Sequence, residues 1–147
     1  MHHDPTITAI AQMIQLAVAP VFLLSGIAAM LAVMTNRLAR IVDRARALEQ
    51  RLEGHPGSAP HLNADLAVLA RRARYINVAI SLCAIAALLV ALVVVTLFAN
   101  AFFESGLSLL IALLFVGAMV FLSAAFIAFF VEVRLATAAL RIGAPRR

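Results

Sequence analysis

The chain has 147 residues, about the size of one domain, but 65% of them are hydrophobic and the mean hydropathy is +1.04. In soluble domains the apolar share is about half, so a water-soluble fold is excluded and an integral membrane protein is indicated. The formal net charge of +5 comes from arginines flanking apolar runs, a pattern that fits membrane orientation and anionic headgroups and argues against nucleic acid as a partner.

Residues 1–7 are a short polar start in which Thr6 or Thr8 can cap a helix after Pro5. His2, His3 and Asp4 are too few ligands for a metal site, and none is expected. A first long helix then runs from about Thr8 to about Glu53. Leu16 to Met34 is uncharged and long enough to span a bilayer. Thr35 to Glu53 is charged, yet it keeps Leu38, Ile41, Ala45, Leu48 and Leu52 at alternating steps of three and four. As one rod this helix would be roughly 70 Å long at 1.5 Å per residue. No basic region precedes the span and its apolar core is too long for a signal peptide, so cleavage is not expected. Pro20 predicts a kink. Gly26, with Ser25, Ala28, Ala29 and Ala32, allows close approach of another helix, from this chain or another.

Gly54 to Pro60 breaks the helix. Asn63 then caps a second helix carrying Leu66, Leu69, Ala73 and Ile76 at the same spacing, with Leu62 as a staple. Residues 35–75 therefore read as an antiparallel helical hairpin whose seam is Leu38, Ile41, Leu48, Leu52, Leu66 and Leu69. Asp43, Glu49, Glu53 and Asp65 are placed to pair with its arginines, weakly if exposed. The second span is about 76–99 and holds the single cysteine, Cys83, which leaves no intrachain disulfide. After a turn from Asn100 to Gly106, the third span, about 107–131, contains Gly117, Ser123 and Phe121, Phe126, Phe129 and Phe130. Glu132 marks its inner edge. The expected state of that carboxylate is solvated, with pairing to Arg134 or a hairpin arginine as the alternative. The tail, 132–147, continues the helix until Gly143 and Pro145 stop it.

The fold class is thus all-α integral membrane: one domain with three transmembrane helices, the first two extended into a cytoplasmic antiparallel hairpin. Eight arginines lie between spans one and two (Arg37, Arg40, Arg44, Arg46, Arg51, Arg71, Arg72, Arg74), and Arg134, Arg141, Arg146 and Arg147 follow span three. Three spans put all of them in one compartment. The positive-inside bias makes that the cytoplasm, with the N-terminus outside and the C-terminus inside.

No carboxylate, histidine or lysine falls at the centre of a span, where proton relays and ion-coupled transporters place them. The serines in the spans have no neighbouring base, and neither a phosphate loop nor a zinc-protease motif occurs. An enzyme is not expected, nor is a cofactor. The pattern with functional content is a second stripe on the first helix: Gly26, Met30, Val33, Arg37, Arg40 and Arg44, with Gln12 nearer the outer end. Around a shared axis of several copies, this face would line an apolar constriction opening into an arginine-ringed inner mouth. Alternatively it faces lipid and solvent, with Arg37 and Arg40 among anionic headgroups.

The segment TNRLARIVDRARALE, preceded by QLAVAPVFLLSGIAAML, resembles an uncharacterised bacterial family of small three-span membrane proteins, a domain of unknown function, in which an NRLARIVDRAR-like segment follows the first span. The resemblance covers nearly the whole chain and implies a bacterial inner-membrane protein of this topology, with no activity to carry over. The expectations are a homo-oligomer forming a pore lined by the first helix, or a non-conducting scaffold or regulatory subunit whose hairpin binds a cytoplasmic protein.

Overall fold

The computed structural model describes residues 5–54, 59–103 and 106–141, with side chains over 10–12, 14–52, 60–100 and 106–137. Three helices account for nearly all of them: α1 (Pro5–Gly54), α2 (Ala59–Phe103) and α3 (Ser108–Arg141). Within these, Ile10–Leu52, Pro60–Asn100 and Ser108–Thr137 are each long and apolar enough to cross a membrane. The chain is therefore a multi-pass membrane protein with an all-helical fold. Large apolar side chains such as Phe22, Leu109 and Ile127 are 75%, 70% and 67% exposed, a surface that calls for lipid.

Two helix starts differ from expectation. Pro5 is the first residue of α1, so Thr6 and Thr8 lie inside the helix and not at its cap. Likewise α2 begins at Ala59, which places Pro60 in the first turn and Asn63 beyond the capping position. Proline is suited to a first turn, because its missing N–H would have no intrahelical partner there. At Pro20, by contrast, α1 continues unbroken although the ring removes the bond that the Leu16 carbonyl would accept.

Contacts divide the chain into two compact units. The first comprises Met1–Met30 and Cys83–Ser123. Its buried residues include Ala17, Ile27, Cys83, Ala86, Val90, Val93 and Ala118, and the alanines among them suit close packing where lipid is the solvent. A Cβ on Gly117 would meet Leu89 Cδ1 at 3.7 Å, an ordinary contact, whereas one on Gly26 would have nothing within 4 Å. Ser25, Gly26, Ala28 and Ala29 are exposed, so that small-residue face is left open among the described residues. The turn into α3 is built on Gly106, whose φ of 62° lies in the left-handed region. Its neighbour Leu107 donates its N–H to Asn100 Oδ1 at 3.0 Å, and the Leu107 carbonyl accepts from the Ile111 N–H at 3.0 Å, which opens the helix.

The second unit comprises Leu31–Leu82 and Ala124–Arg147. Met34, Ile41, Leu69, Ile76, Ala79, Ala125 and one charged residue, Glu132, are buried in it. The seam residues Ile41 and Leu69 are buried, while Leu38, Leu48, Leu52 and Leu66 are half-buried. A groove of this unit is lined by residues of α1 (Ile41, Val42, Ala45) together with residues of α2 (Leu66, Leu69, Ala73).

Helix hydroxyls in both units bond back to their own helix. Ser25 donates to the Val21 carbonyl at 3.3 Å, Thr35 to Leu31 at 2.8 Å, Ser81 to Asn77 at 3.0 Å and Ser123 to Met119 at 2.8 Å; Thr96 bonds to Leu92 in the same way. This back-bonding satisfies hydroxyls where water is absent, and it leaves them engaged locally instead of gathered into a site.

Candidate functional site

Helical spacing prepares one charged cluster, and all of it lies in the second unit. On α3, Ala125 and Glu132 are seven residues apart and both are buried, which puts Glu132 on the packing face of the helix. On α1, Arg37 follows the buried Met34 by three residues. Arg72 on α2 follows the buried Leu69 by the same step. Residues three apart are neighbours on a helix surface, so each arginine stands at the border of a buried face.

The three side chains meet. Arg72 donates from Nε and Nη2 to Glu132 Oε1 at 3.2 and 3.0 Å. Arg37 Nη2 lies 3.0 Å from Oε2, a close charge contact without the alignment of a hydrogen bond. The Arg37 guanidinium also stands 5.4 Å from the centre of the Phe129 ring. Phe129 and Glu132 are themselves three apart on α3, so one face of that helix grips Arg37 through a ring and a carboxylate. Glu132 is 0% exposed, while the side chains of Arg37 and Arg72 are 32% and 17% exposed. A carboxylate taken wholly out of water is stable only with such partners.

Glu132 is therefore not the solvated interfacial carboxylate expected from sequence; of the alternatives, pairing with an arginine of residues 35–75 is the one found, with Arg37 and Arg72, and not pairing with Arg134. Arg134 instead stands over the Phe130 ring at 5.0 Å, one helical turn back on the same helix. The other described acids, Asp43, Glu49 and Asp65, are exposed, and among the described residues the ion pairs are those of Glu132; the expected pairs of those three with hairpin arginines do not form. Glu53 as a pairing acid, and His2, His3 and Asp4 as a weak ligand set, lie outside the described side chains.

The candidate stripe on α1 divides. Gln12, Gly26, Val33, Arg40 and Arg44 are exposed, whereas Met30 and Arg37 are half-buried. Of the arginines assigned to an inner mouth, Arg37 is thus engaged within its own chain. Sequence reasoning passes over Arg72 as a member of the site and underrates Glu132. The available signal was the seven-residue step from Ala118 to Ala125 to Glu132, all three of which are buried. Chemically the cluster is a clamp: it holds charge in place and offers neither a nucleophile nor a free base.

Comparison with curated proteins and with solved structures returns no match. A protein-family match covers residues 17–142, which takes in α1 from Ala17 onward, the whole of α2 and α3 and each member of the clamp, and the chain accordingly belongs to the family described as protein of unknown function DUF2721.

Proposed function

We propose that the protein is a non-catalytic, homo-oligomeric scaffold or regulatory subunit of the bacterial inner membrane, with its N-terminus outside and its C-terminus in the cytoplasm. On this reading the antiparallel hairpin and the inner end of α3 form a basic head that binds an acidic face of a cytoplasmic protein, and no cofactor takes part. The clamp at Glu132 carries the proposal. It ties side chains of α1, α2 and α3 together at one buried point, which suits a preformed binding head better than a mobile gate. Arg40, Arg44, Arg46, Arg51, Arg71, Arg74 and Arg134 remain exposed, and such a surface steers acidic partners.

A second reading, a pore lined by α1 in a ring of four or more copies, draws on the exposure of Gly26, Val33, Arg40 and Arg44. The decisive experiment is the mass of the full chain in nanodiscs, corrected for lipid, combined with ion flux in reconstituted vesicles. A defined oligomer whose vesicles leak no more than protein-free ones is the expected result. Saturable flux that changes in Arg40→Gln and Arg44→Gln variants would overturn the scaffold in favour of the pore, and a monomer would remove the homo-oligomer from both.

A further inference from the structure

A cleft of about 290 Å³ opens in the second unit between α1 and α2 and is lined by Arg37, Arg40, Ile41, Arg44, Leu69 and Arg72. Four of its six lining residues are arginines and none is acidic. Arg37, Arg40 and Arg44 fall on one face of α1 by steps of three and four, and Arg72 faces them from α2. A neighbouring cleft shares Arg44, Leu69 and Arg72 and brings in one carboxylate, the exposed Asp65.

The charge of this cleft is uncompensated. Glu132 neutralises one of the four guanidinium groups, which leaves a balance of three positive charges in the cleft, or two once Asp65 is counted. Donor groups are uncompensated too. A guanidinium carries five N–H donors. Arg72 commits only Nε and Nη2 to Glu132 and Arg37 approaches it with Nη2 alone, while Arg40 and Arg44 have no acidic partner among the described residues. The remaining donors are planar forks that suit a tetrahedral oxyanion. Four like charges lining one cleft repel one another, so binding an anion with about two negative charges relieves the repulsion and fills the donors at once. A phosphate monoester carries roughly that charge near neutral pH; a zwitterionic phosphodiester headgroup does not.

We propose that this cleft is a binding site for a phosphate monoester group, presented either on a lipid headgroup or on a small soluble molecule. The site belongs to the single chain; it uses Arg40 and Arg44, on which the scaffold and pore readings also draw, but requires neither an oligomer nor a protein partner. Its height fits both sources. Arg37 follows the apolar run ending at Met34 by three residues, about 5 Å at 1.5 Å per residue, and Arg44 lies about 15 Å beyond it. The headgroup layer is roughly 5 to 7 Å deep, so the cleft begins within that layer and ends past it.

The test uses the full chain in phosphatidylcholine nanodiscs, titrated with inorganic phosphate by calorimetry in one arm, and in the other supplied with discs containing phosphatidic acid, with bound lipid read by native mass spectrometry. The comparison is between Arg40→Gln/Arg44→Gln, which spares both partners of Glu132, and Arg71→Gln/Arg74→Gln, which removes the same charge from exposed positions outside the cleft. Single Arg44→Gln serves if the first pair does not fold. Saturable binding in either arm that weakens at least tenfold in the cleft variant and less than twofold in the control establishes the site, and the arm that responds identifies the source. No saturable binding in either arm, or equal weakening in both variants, overturns it.

Discussion

Substitution of Arg72 by methionine, which keeps the apolar stem of the side chain and removes its charge and its donors, is the sharpest probe of the clamp. Arg72 makes both aligned hydrogen bonds to Glu132, at 3.2 and 3.0 Å. Without them, a carboxylate at 0% exposure is left with Arg37 alone, whose contact is unaligned. Stranding one partner of a buried pair costs about 3–5 kcal/mol, and the upper half of that range is expected because two charge-assisted bonds are lost together. Arg37→Met should cost less, about 1–2 kcal/mol, since its side chain reaches solvent and loses an unaligned contact and a ring contact.

The pair of substitutions together is more telling than either one. In Arg72→Met/Glu132→Leu the buried charge is gone along with its partner, and Arg37 can turn to water. Apolar replacement of a buried pair is close to neutral or stabilising, so the double variant should recover at least about 2 kcal/mol of the loss, a coupling typical of direct contact. Reversible unfolding in mixed detergent micelles, followed by circular dichroism, measures the four proteins of the cycle: the parent, Arg72→Met, Glu132→Leu and the double variant. If Arg72→Met lies within about 1 kcal/mol of the parent, or if the double variant loses the sum of the two single losses, Glu132 is not held as a charge and the electrostatic account is wrong.

Arg72→Lys keeps the net charge and hence the orientation bias, but a single ammonium cannot reproduce the Nε and Nη2 pair; reporter-tag topology should be unchanged while stability falls by about 1–2 kcal/mol. Gly106→Ala places a Cβ in open space at a φ of 62°, so its cost of about 1–2 kcal/mol comes from the backbone alone, and unfolding should register it. Gly117→Ala makes only an ordinary contact with Leu89 and should lie within about 0.5 kcal/mol of the parent by the same measurement. Ser123→Ala removes a bond to its own helix at the Met119 carbonyl and should likewise be near neutral, because the carbonyl retains its helical partner.

What could be read from the sequence follows the range of the interactions involved. The apolar runs near 16–34, 76–99 and 107–131 reveal three helices because crossing a membrane is a local property of length and hydropathy. Helix starts are less legible. Asn63 competes as a cap with a proline that suits a first turn, and the chain takes up helix at Ala59. The state of Glu132 was least legible. A carboxylate just beyond an apolar run ordinarily stays in water, and what reverses that here is an arginine 60 residues away together with another on α1.

Orientation reasoning treats the arginines as a sum, and as a sum they are interchangeable. The structure separates them by position. Arg37 and Arg72, each three residues past a buried apolar side chain, hold the buried carboxylate of Glu132. Arg40 and Arg44, on the exposed continuation of the same α1 face, have no acidic partner among the described residues. The difference is one of helical phase. The steps of three and four that make a packing face also determine which charges are turned into the protein and which are left exposed, so phase and net charge have to be read together.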